Sequence, residues 1–401
     1  MTNDLLQQAD WNYPTQIAVG AGRIQELSEH CLALGMRAPL LVTDPGLASL
    51  PMVTAIHAAC IEAGLSIQCF SDIQANPTDD NVVAGVDAFH KGEHDGVIAF
   101  GGGSALDAGK AIAFLSGQDR PLWDFDDAAD NWTRAKEDGI APIIAVPTTA
   151  GTGSEVGRVS VITDTIGNRK RFIFHPRILP SLVILDPELT VSLPAHLTAA
   201  TGMDALSHNL EAYCAPGFHP MADGIALEGI RRVQQYLPRA VTDGQDLDAR
   251  TQLLVASTMG ATAFQKGLGA MHALAHPLGA LYHAHHGLLN AILMPYVLHA
   301  NRSAIEPRLI HLARTLNLSD PSFDAFFDWV LSLRQEVGIP PRLLDIGIDA
   351  TDAEHIGQRA VEDPTAPTNP INFSASQYSA LFVNAVNGSF DTVRASSSQT
   401  F

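Results

Sequence analysis

Short apolar runs punctuate the first half of the chain. Pro39-Leu-Leu-Val-Thr43, Leu65–Phe70, Gly96-Val-Ile-Ala-Phe100, Ile143-Ile-Ala-Val146 and Leu182-Val-Ile-Leu185 are unbroken by charge, as strands buried on both faces should be. Between them lie segments of helical period, including Ile24–Leu34, Met52–Ala63 and Asp79–Lys91. Such alternation predicts an α/β domain, Rossmann-like, with a mostly parallel sheet covered by helices. Past Leu193 the pattern changes. Strand-like runs become scarce, and apolar residues recur at 3.6-residue spacing over Leu197–Tyr213, Met221–Tyr236, Asp248–Phe264, Met271–Leu281, Leu288–Ala300 and Ile305–Leu316. That predicts an all-α C-terminal domain. Two prolines in Asp186–Pro194 mark the junction, so residues 1–190 form the expected dinucleotide-binding domain and 191–401 the expected metal-binding, catalytic domain. Asp363–Pro370 reads as a loop, and Ser396–Phe401 are expected to fray.

Charge narrows the partners. The 401 residues carry 24 Lys and Arg against 43 Asp and Glu, a formal charge of −19, which repels phosphate backbones and anionic lipid. No nucleic acid and no membrane are expected, because the most apolar windows are interrupted by Asp107, Lys110 and Pro142. Met1–Asp10 shows neither a basic nor an apolar region of secretory type, and the four cysteines lack C-x-x-C spacing. A cytoplasmic location is the expectation.

Histidine carries the sharpest chemical signal. Five of the 16 fall between His272 and His286, at 272, 276, 283, 285 and 286. His272 and His276 stand four apart on one predicted helix, so both project from one face. Asp204 and His208 repeat that spacing on another. Two such pairs and a histidine from the following loop can surround a divalent cation. Imidazoles with one carboxylate suit Fe2+, Zn2+ or another first-row ion better than Ca2+ or Mg2+. Spacing alone does not choose among His283, His285 and His286. His272-Ala-Leu-Ala-His276 lacks the glutamate of H-E-x-x-H, which excludes a zincin-type protease.

Two turns end the two longest apolar runs. Gly101-Gly-Gly-Ser104 precedes a predicted helix at Ala105–Phe114, where backbone N–H groups and the helix terminus favour phosphate. Thr148-Thr-Ala-Gly-Thr-Gly-Ser154 adds hydroxyls at a neighbouring strand end. Together they point to a dinucleotide. Asp44, just past Pro39–Thr43, is placed either to bond ribose hydroxyls or to form an Asx turn before Pro45.

At this point the residues resemble a known family, the iron-containing (group III) alcohol dehydrogenases, with its lactaldehyde reductase and propanediol dehydrogenase members most alike. The resemblance rests on Asn76-Pro-Thr78, Gly101-Gly-Gly-Ser-Ala-Leu-Asp107, Pro147-Thr-Thr-Ala-Gly-Thr-Gly-Ser-Glu155, Ala200-Thr-Gly-Met-Asp-Ala-Leu-Ser-His208 and Gly267-Leu-Gly-Ala-Met-His-Ala-Leu-Ala-His-Pro-Leu-Gly279, closed by His286-Gly287 and Asn290-Ala291. It implies a metal held by Asp204, His208, His272 and His286. It implies NAD contacts from Asp44, Asn76, Gly101, Gly102, Gly103, Ser104, Asp107, Thr148, Thr149, Thr152 and Lys170. His276 matches a histidine beside the metal, available as a catalytic proton relay. The implied activity is NAD(H)-linked hydride transfer between a small alcohol and nicotinamide, in a homodimer or larger homo-oligomer with the active site between the domains. The alternative is a dehydroquinate-synthase-like lyase or cyclase, which shares the plan but calls for several basic residues around the metal. Lys266, in a turn one residue shorter than in the relatives, is placed to meet a substrate with an anionic tail, or else points to solvent or caps a carbonyl and leaves the pocket to neutral aldehydes. Gly157 and Val159 replace bulkier or polar residues and open the same pocket.

Overall fold

A computed structural model describes residues 12–13, 15–127, 130–167 and 169–391; Ser396–Phe401 lie outside the described residues. They fall into two compact units, one of residues 15–193 with 245–258 and one of residues 194–244 with 259–391 and 12–13.

The first unit is built on a six-stranded parallel sheet. In chain order its elements are β1 (Gln16–Val19), α1 (Leu27–Ala33), β2 (Pro39–Val42), α2 (Pro45–Ala48), α3 (Pro51–Glu62), β3 (Gln68–Phe70), α4 (Asp79–Lys91), β4 (Gly96–Gly101), α5 (Gly103–Leu115), β5 (Ile143–Pro147), β6 (Val159–Asp164), β7 (Arg169–Phe174) and β8 (Leu182–Leu185). The sheet order is β1-β8-β5-β4-β2-β3, while β6 and β7 form a separate antiparallel hairpin. Every residue of β2, β4, β5 and β8 is buried, which explains their unbroken apolar sequences. Alternate residues, among them Leu41, Ile98, Phe100, Ile144, Val146 and Ile184, join Cys31, Val53, Ile56 and Cys60 of α1 and α3 in one core. On α5, Gly109 lies so near β4 that an added Cβ would stand 2.7 Å from the Ala99 Cβ. Three strands, β1, β6 and β7, escaped the hydrophobic pattern. β1 has only four residues, and β7, Arg-Lys-Arg-Phe-Ile-Phe, opens with three cations.

The second unit is helical: α6 (Ala195–Cys214), α7 (Pro220–Thr242), the end of α8 (Leu247–Ala263), α9 (Ala270–Tyr282), α10 (His286–Thr315), α11 (Phe323–Glu336), α12 (Ala353–Val361) and α13 (Ala375–Asn387). Leu288–Ala300 and Ile305–Leu316, expected as two helices, belong to the single 30-residue α10, which runs through Pro295 and Pro307. Each proline removes one helical hydrogen bond. Burial of Ile292, Val297, Ile305, Leu309 and Leu312 along the same helix outweighs that loss. The loop expected at Asp363–Pro370 contains one 3-10 turn, Ala366–Thr368. Among the described residues no helix is long and apolar enough to cross a membrane.

Candidate functional site

Helices α6, α9 and α10 bring four side chains of the second unit together. Asp204 and His208 stand one turn apart on α6, His272 lies in the first turn of α9, and His286 is the first residue of α10. One ligand-capable atom from each lies within 4.8 Å of all the others. His286 was expected from a loop; it opens a helix instead. Gly287 is what lets that helix end approach α6, since a Cβ there would fall 2.5 Å from the Ala200 carbonyl oxygen and 3.0 Å from the Asp204 Cβ. The two other loop histidines have local roles. His283 ends α9 in the left-handed conformation (φ 54°), and the His285 ring accepts the Leu288 N–H at 3.3 Å.

The donor chemistry of this cage suits a first-row divalent ion. Three imidazoles and one carboxylate converge, and the Asn290 amide nitrogen lies 2.8 Å from Asp204 Oδ1, 3.2 Å from His272 Nε2 and 3.1 Å from His286 Nε2. Those atoms therefore face one point. The rings also pack on one another: His208 stacks on His272 with centroids 4.7 Å apart and meets Phe264 at 5.3 Å. Asp204, His208 and His272 are buried, and His286 is partly exposed.

His276, one turn beyond His272, stacks on His286 at 5.5 Å but stands outside the four-atom cluster. Its Nδ1 lies 2.8 Å from Asp363 Oδ2. Burial pushes the Asp363 carboxyl up, but His276 and the bonds from Thr365 more than offset it and hold the group below its ordinary range. Asp363, from the segment read only as a loop, carried no sequence signal. Glu211 was also missed, although it continues the face of Asp204 and His208 at i+7. It is buried, and its Oε2 lies 2.7 Å from His272 Nδ1.

Lys266 follows one of its two expected readings, the carbonyl cap. Its side chain is buried, with Nζ 2.5 Å from Asp223 Oδ1 and 3.2 Å from the Tyr213 carbonyl oxygen. Burial pushes its ammonium below the ordinary lysine value, against the pull of Asp223. Arg308 shares both acceptors, at 3.2 Å from Asp223 and 2.8 Å from the Tyr213 carbonyl. Lys266 thus caps a carbonyl and closes an internal ion pair, so its charge is already engaged.

The first unit gathers most of the expected dinucleotide contacts at the carboxyl ends of its strands. Gly101 pairs in register with Pro147, and the Thr148 N–H donates to the Gly101 carbonyl at 3.0 Å, so the glycine and threonine turns are neighbours. Gly101 has φ 145°, and a Cβ there would meet the Ala105 Cβ at 2.8 Å, which reserves the position for glycine. A Cβ on Gly103 would strike Thr152 at 2.6 Å; on Gly102 it would touch Thr149 at 3.5 Å. The Ser104 hydroxyl donates to the Ala75 carbonyl, tying the segment of Asn76 to the same turn. Asp44 follows β2, and its Oδ1 accepts the Leu47 N–H at 3.0 Å, so the Asx-type cap of α2 is present. Asp107 is turned inward, taking the Ser154 hydroxyl at 2.6 Å and the Val161 N–H at 3.2 Å, with Lys110 at 3.1 Å. Lys170 sits on the hairpin opposite Thr163, whose N–H donates to the Pro77 carbonyl at 2.8 Å. Gly157 leaves room beside Lys110, whose Nζ would lie 3.7 Å from an added Cβ.

Comparison with known proteins places both halves. Residues 14–187 match the family model "Iron-containing alcohol dehydrogenase", and residues 198–386 match "Fe-containing alcohol dehydrogenase family, C-terminal". A similar curated protein is the 4-hydroxybutyrate dehydrogenase of Cupriavidus necator, 39% identical over 378 residues, covering 91% of this chain and 97% of the relative. Among solved structures, a 1,3-propanediol oxidoreductase aligns with a TM-score of 0.90 at 35% identity, over 94% of this chain and 100% of its own. The sulfoacetaldehyde reductase of Bifidobacterium kashiwanohense, solved with NAD+, aligns with a TM-score of 0.86 at 29% identity, over 95% and 99%.

Proposed function

The chain belongs to the iron-containing alcohol dehydrogenase family and is an oxidoreductase, and from that premise we propose that it interconverts a small alcohol and its aldehyde with NAD(H), using Fe2+ or a related ion held by Asp204, His208, His272 and His286. The dehydroquinate-synthase-like alternative is set aside, because both halves match alcohol dehydrogenase models. One observation carries the ligand assignment: four donors, one carboxylate and three imidazoles, lie within 4.8 Å of one another. When bound, such an ion supplies Lewis-acid polarisation of the substrate oxygen, while NAD(H) accepts or supplies the hydride.

The chain's own residues do the rest. Backbone N–H groups of Gly101, Gly102, Gly103 and Ser104, at the start of α5, hold the pyrophosphate. Thr148, Thr149, Thr152, Asn76 and Lys170 shape the remaining cofactor contacts, Asp107 supports the threonine turn from within through Ser154, and Asp44 meets the adenosine ribose. His276 moves the proton, its ring oriented by the contact of Nδ1 with Asp363 Oδ2. A homo-oligomer in the cytoplasm belongs to the same reading.

The substrate has a short chain with an anionic tail. The 4-hydroxybutyrate dehydrogenase and sulfoacetaldehyde reductase relatives support this, since their names denote a carboxylate and a sulfonate. Lys266 is not the tail's partner, because Asp223 and the Tyr213 carbonyl already hold it. The test is NADH-linked reduction of butanal and of succinic semialdehyde by the metal-loaded protein. The semialdehyde is expected to be favoured by roughly tenfold or more in kcat/KM, about 1.4 kcal/mol. Lys266→Met should leave that ratio unchanged. Equal or better use of butanal would remove the anionic tail from the proposal.

A further inference from the structure

Glu211 collects three N–H donors that come from one short stretch of chain. Its Oε2 accepts the Gly269 N–H at 2.8 Å and faces His272 Nδ1 at 2.7 Å, and its Oε1 accepts the Met271 N–H at 2.7 Å. A carboxylate only accepts, and three converging donors give both of its oxygens a partner. The backbone donors belong to the N-cap and first turn of α9, where the Ala270 N–H goes to Asn369 Oδ1 at 3.0 Å. Gly269 admits the carboxylate, because a Cβ there would lie 2.9 Å from Oε1. Glu211 therefore does two things. It caps the helix that carries His272, and it determines which ring nitrogen of His272 holds the proton.

The second role bears on metal binding. An imidazole binds a cation through the nitrogen without a proton. With Nδ1–H donating to Glu211, the lone pair sits on Nε2, the atom that faces Asp204 and His286 across Asn290. We propose that Glu211 is a positioning residue for the metal site: it holds His272 as the Nδ1–H tautomer, aims Nε2 into the cage and thereby raises the affinity for a first-row divalent ion. This rests on the ligand reading above.

Glutamine in place of Glu211 has nearly the same shape but puts an NH2 where one oxygen was. If the NH2 faces His272, Nδ1 must accept, and the proton moves to the ligating Nε2. If it faces Met271, two donors collide at the helix end. Either arrangement should weaken the site, by about 10- to 100-fold as for other carboxylate–histidine–metal arrangements.

Co2+ serves as the probe, with affinity from competition against a chromophoric chelator and ligand geometry from the visible absorption of the bound ion. Glu211→Gln is expected to bind Co2+ about 10- to 100-fold more weakly than wild type and with an altered spectrum. Asn369→Ala is the control: it removes a cap from the same helix end without touching His272, so its unfolding midpoint should fall while its Co2+ affinity stays near wild type. If Glu211→Gln binds Co2+ as tightly as wild type while His272→Ala does not, the ligand reading stands and the role of Glu211 is wrong. If His272→Ala binds as tightly as wild type, the ligand reading itself is wrong. Should Glu211→Gln fail to fold, nitrogen NMR of histidine-labelled, zinc-loaded wild type decides. A strongly hydrogen-bonded Nδ1–H on His272 supports the proposal, and a proton-free Nδ1 overturns it.

Discussion

At the scale of single residues, the cage shows which contacts a linear pattern can carry. Asp204–His208 and His272–His276 were visible as pairs four apart, because helical geometry turns that spacing into a shared face. The structure then separates the second pair: His272 joins the cage, and His276 turns its Nδ1 to Asp363. Glu211 was not legible. A glutamate on a helix usually faces water, and its partners lie 58 to 61 positions away in sequence. Asp44 shows the opposite case, where two readings of one residue are compatible. Oδ1 caps α2, and the same carboxylate can still repel a 2′-phosphate. Asp44→Ser keeps an N-cap oxygen and removes the charge. The native protein should therefore prefer NADH to NADPH, and the serine variant should narrow that preference by about 1 kcal/mol, roughly fivefold in relative kcat/KM. The two cofactors compared at equal aldehyde concentration check this; a native preference for NADPH would mean Asp44 lies away from the ribose.

At the scale of elements, burial decided what could be read. β2, β4, β5 and β8 announced themselves because both faces are covered. In the β6–β7 hairpin, β6 alternates half-buried and buried positions while β7 buries only Ile173 and carries Arg169, Lys170 and Arg171, so it resembles surface chain. Its fixed position comes from side chains: Arg171 binds Asp126 at 2.7 Å and lies over the Trp123 ring at 4.4 Å. α10 was read as two helices because Asn301, Arg302 and Ser303 interrupt the apolar period between Ala300 and Ile305. Glycine likewise has opposite meanings in two helices. On α5, alanine at Gly109 would overlap Ala99 of β4, with Cβ atoms 2.7 Å apart and the Ala99 Cα at 3.2 Å. On α7, Gly224 is exposed, and an added Cβ meets nothing within 4 Å. Gly109→Ala should lower stability by about 1–3 kcal/mol. Gly224→Ala should raise it by about 0.5–1 kcal/mol through helix propensity alone. Urea unfolding followed by circular dichroism separates the two, and an equal response of both variants would show that α5 does not press on β4.

At the scale of the whole molecule, the change of pattern near Leu193 in sequence corresponds to the change from parallel sheet to helices. The return of residues 245–258 to the sheet unit had no such mark, since a helix looks alike whichever core covers it. Substrate identity was the least legible property. It depended on where one lysine pointed, and burial against Asp223 sent Lys266 inward. A metal site and a dinucleotide site were far more legible, because they need only a few residue types at helical spacing and two turns at strand ends. The reaction class followed from the family resemblance that those motifs carry. Its direct test is bound metal against turnover. The protein is stripped with a chelator, reloaded stepwise with Fe2+ under anaerobic conditions, and assayed for NADH oxidation with aldehyde alongside Asp204→Asn and His272→Ala. Activity should be absent after stripping, rise in proportion to bound ion, level off at one ion per chain, and stay low in both variants. Full turnover by the stripped protein, or a wild-type metal content and rate in His272→Ala, would contradict the assignment of Asp204, His208, His272 and His286 as the seat of a catalytic metal.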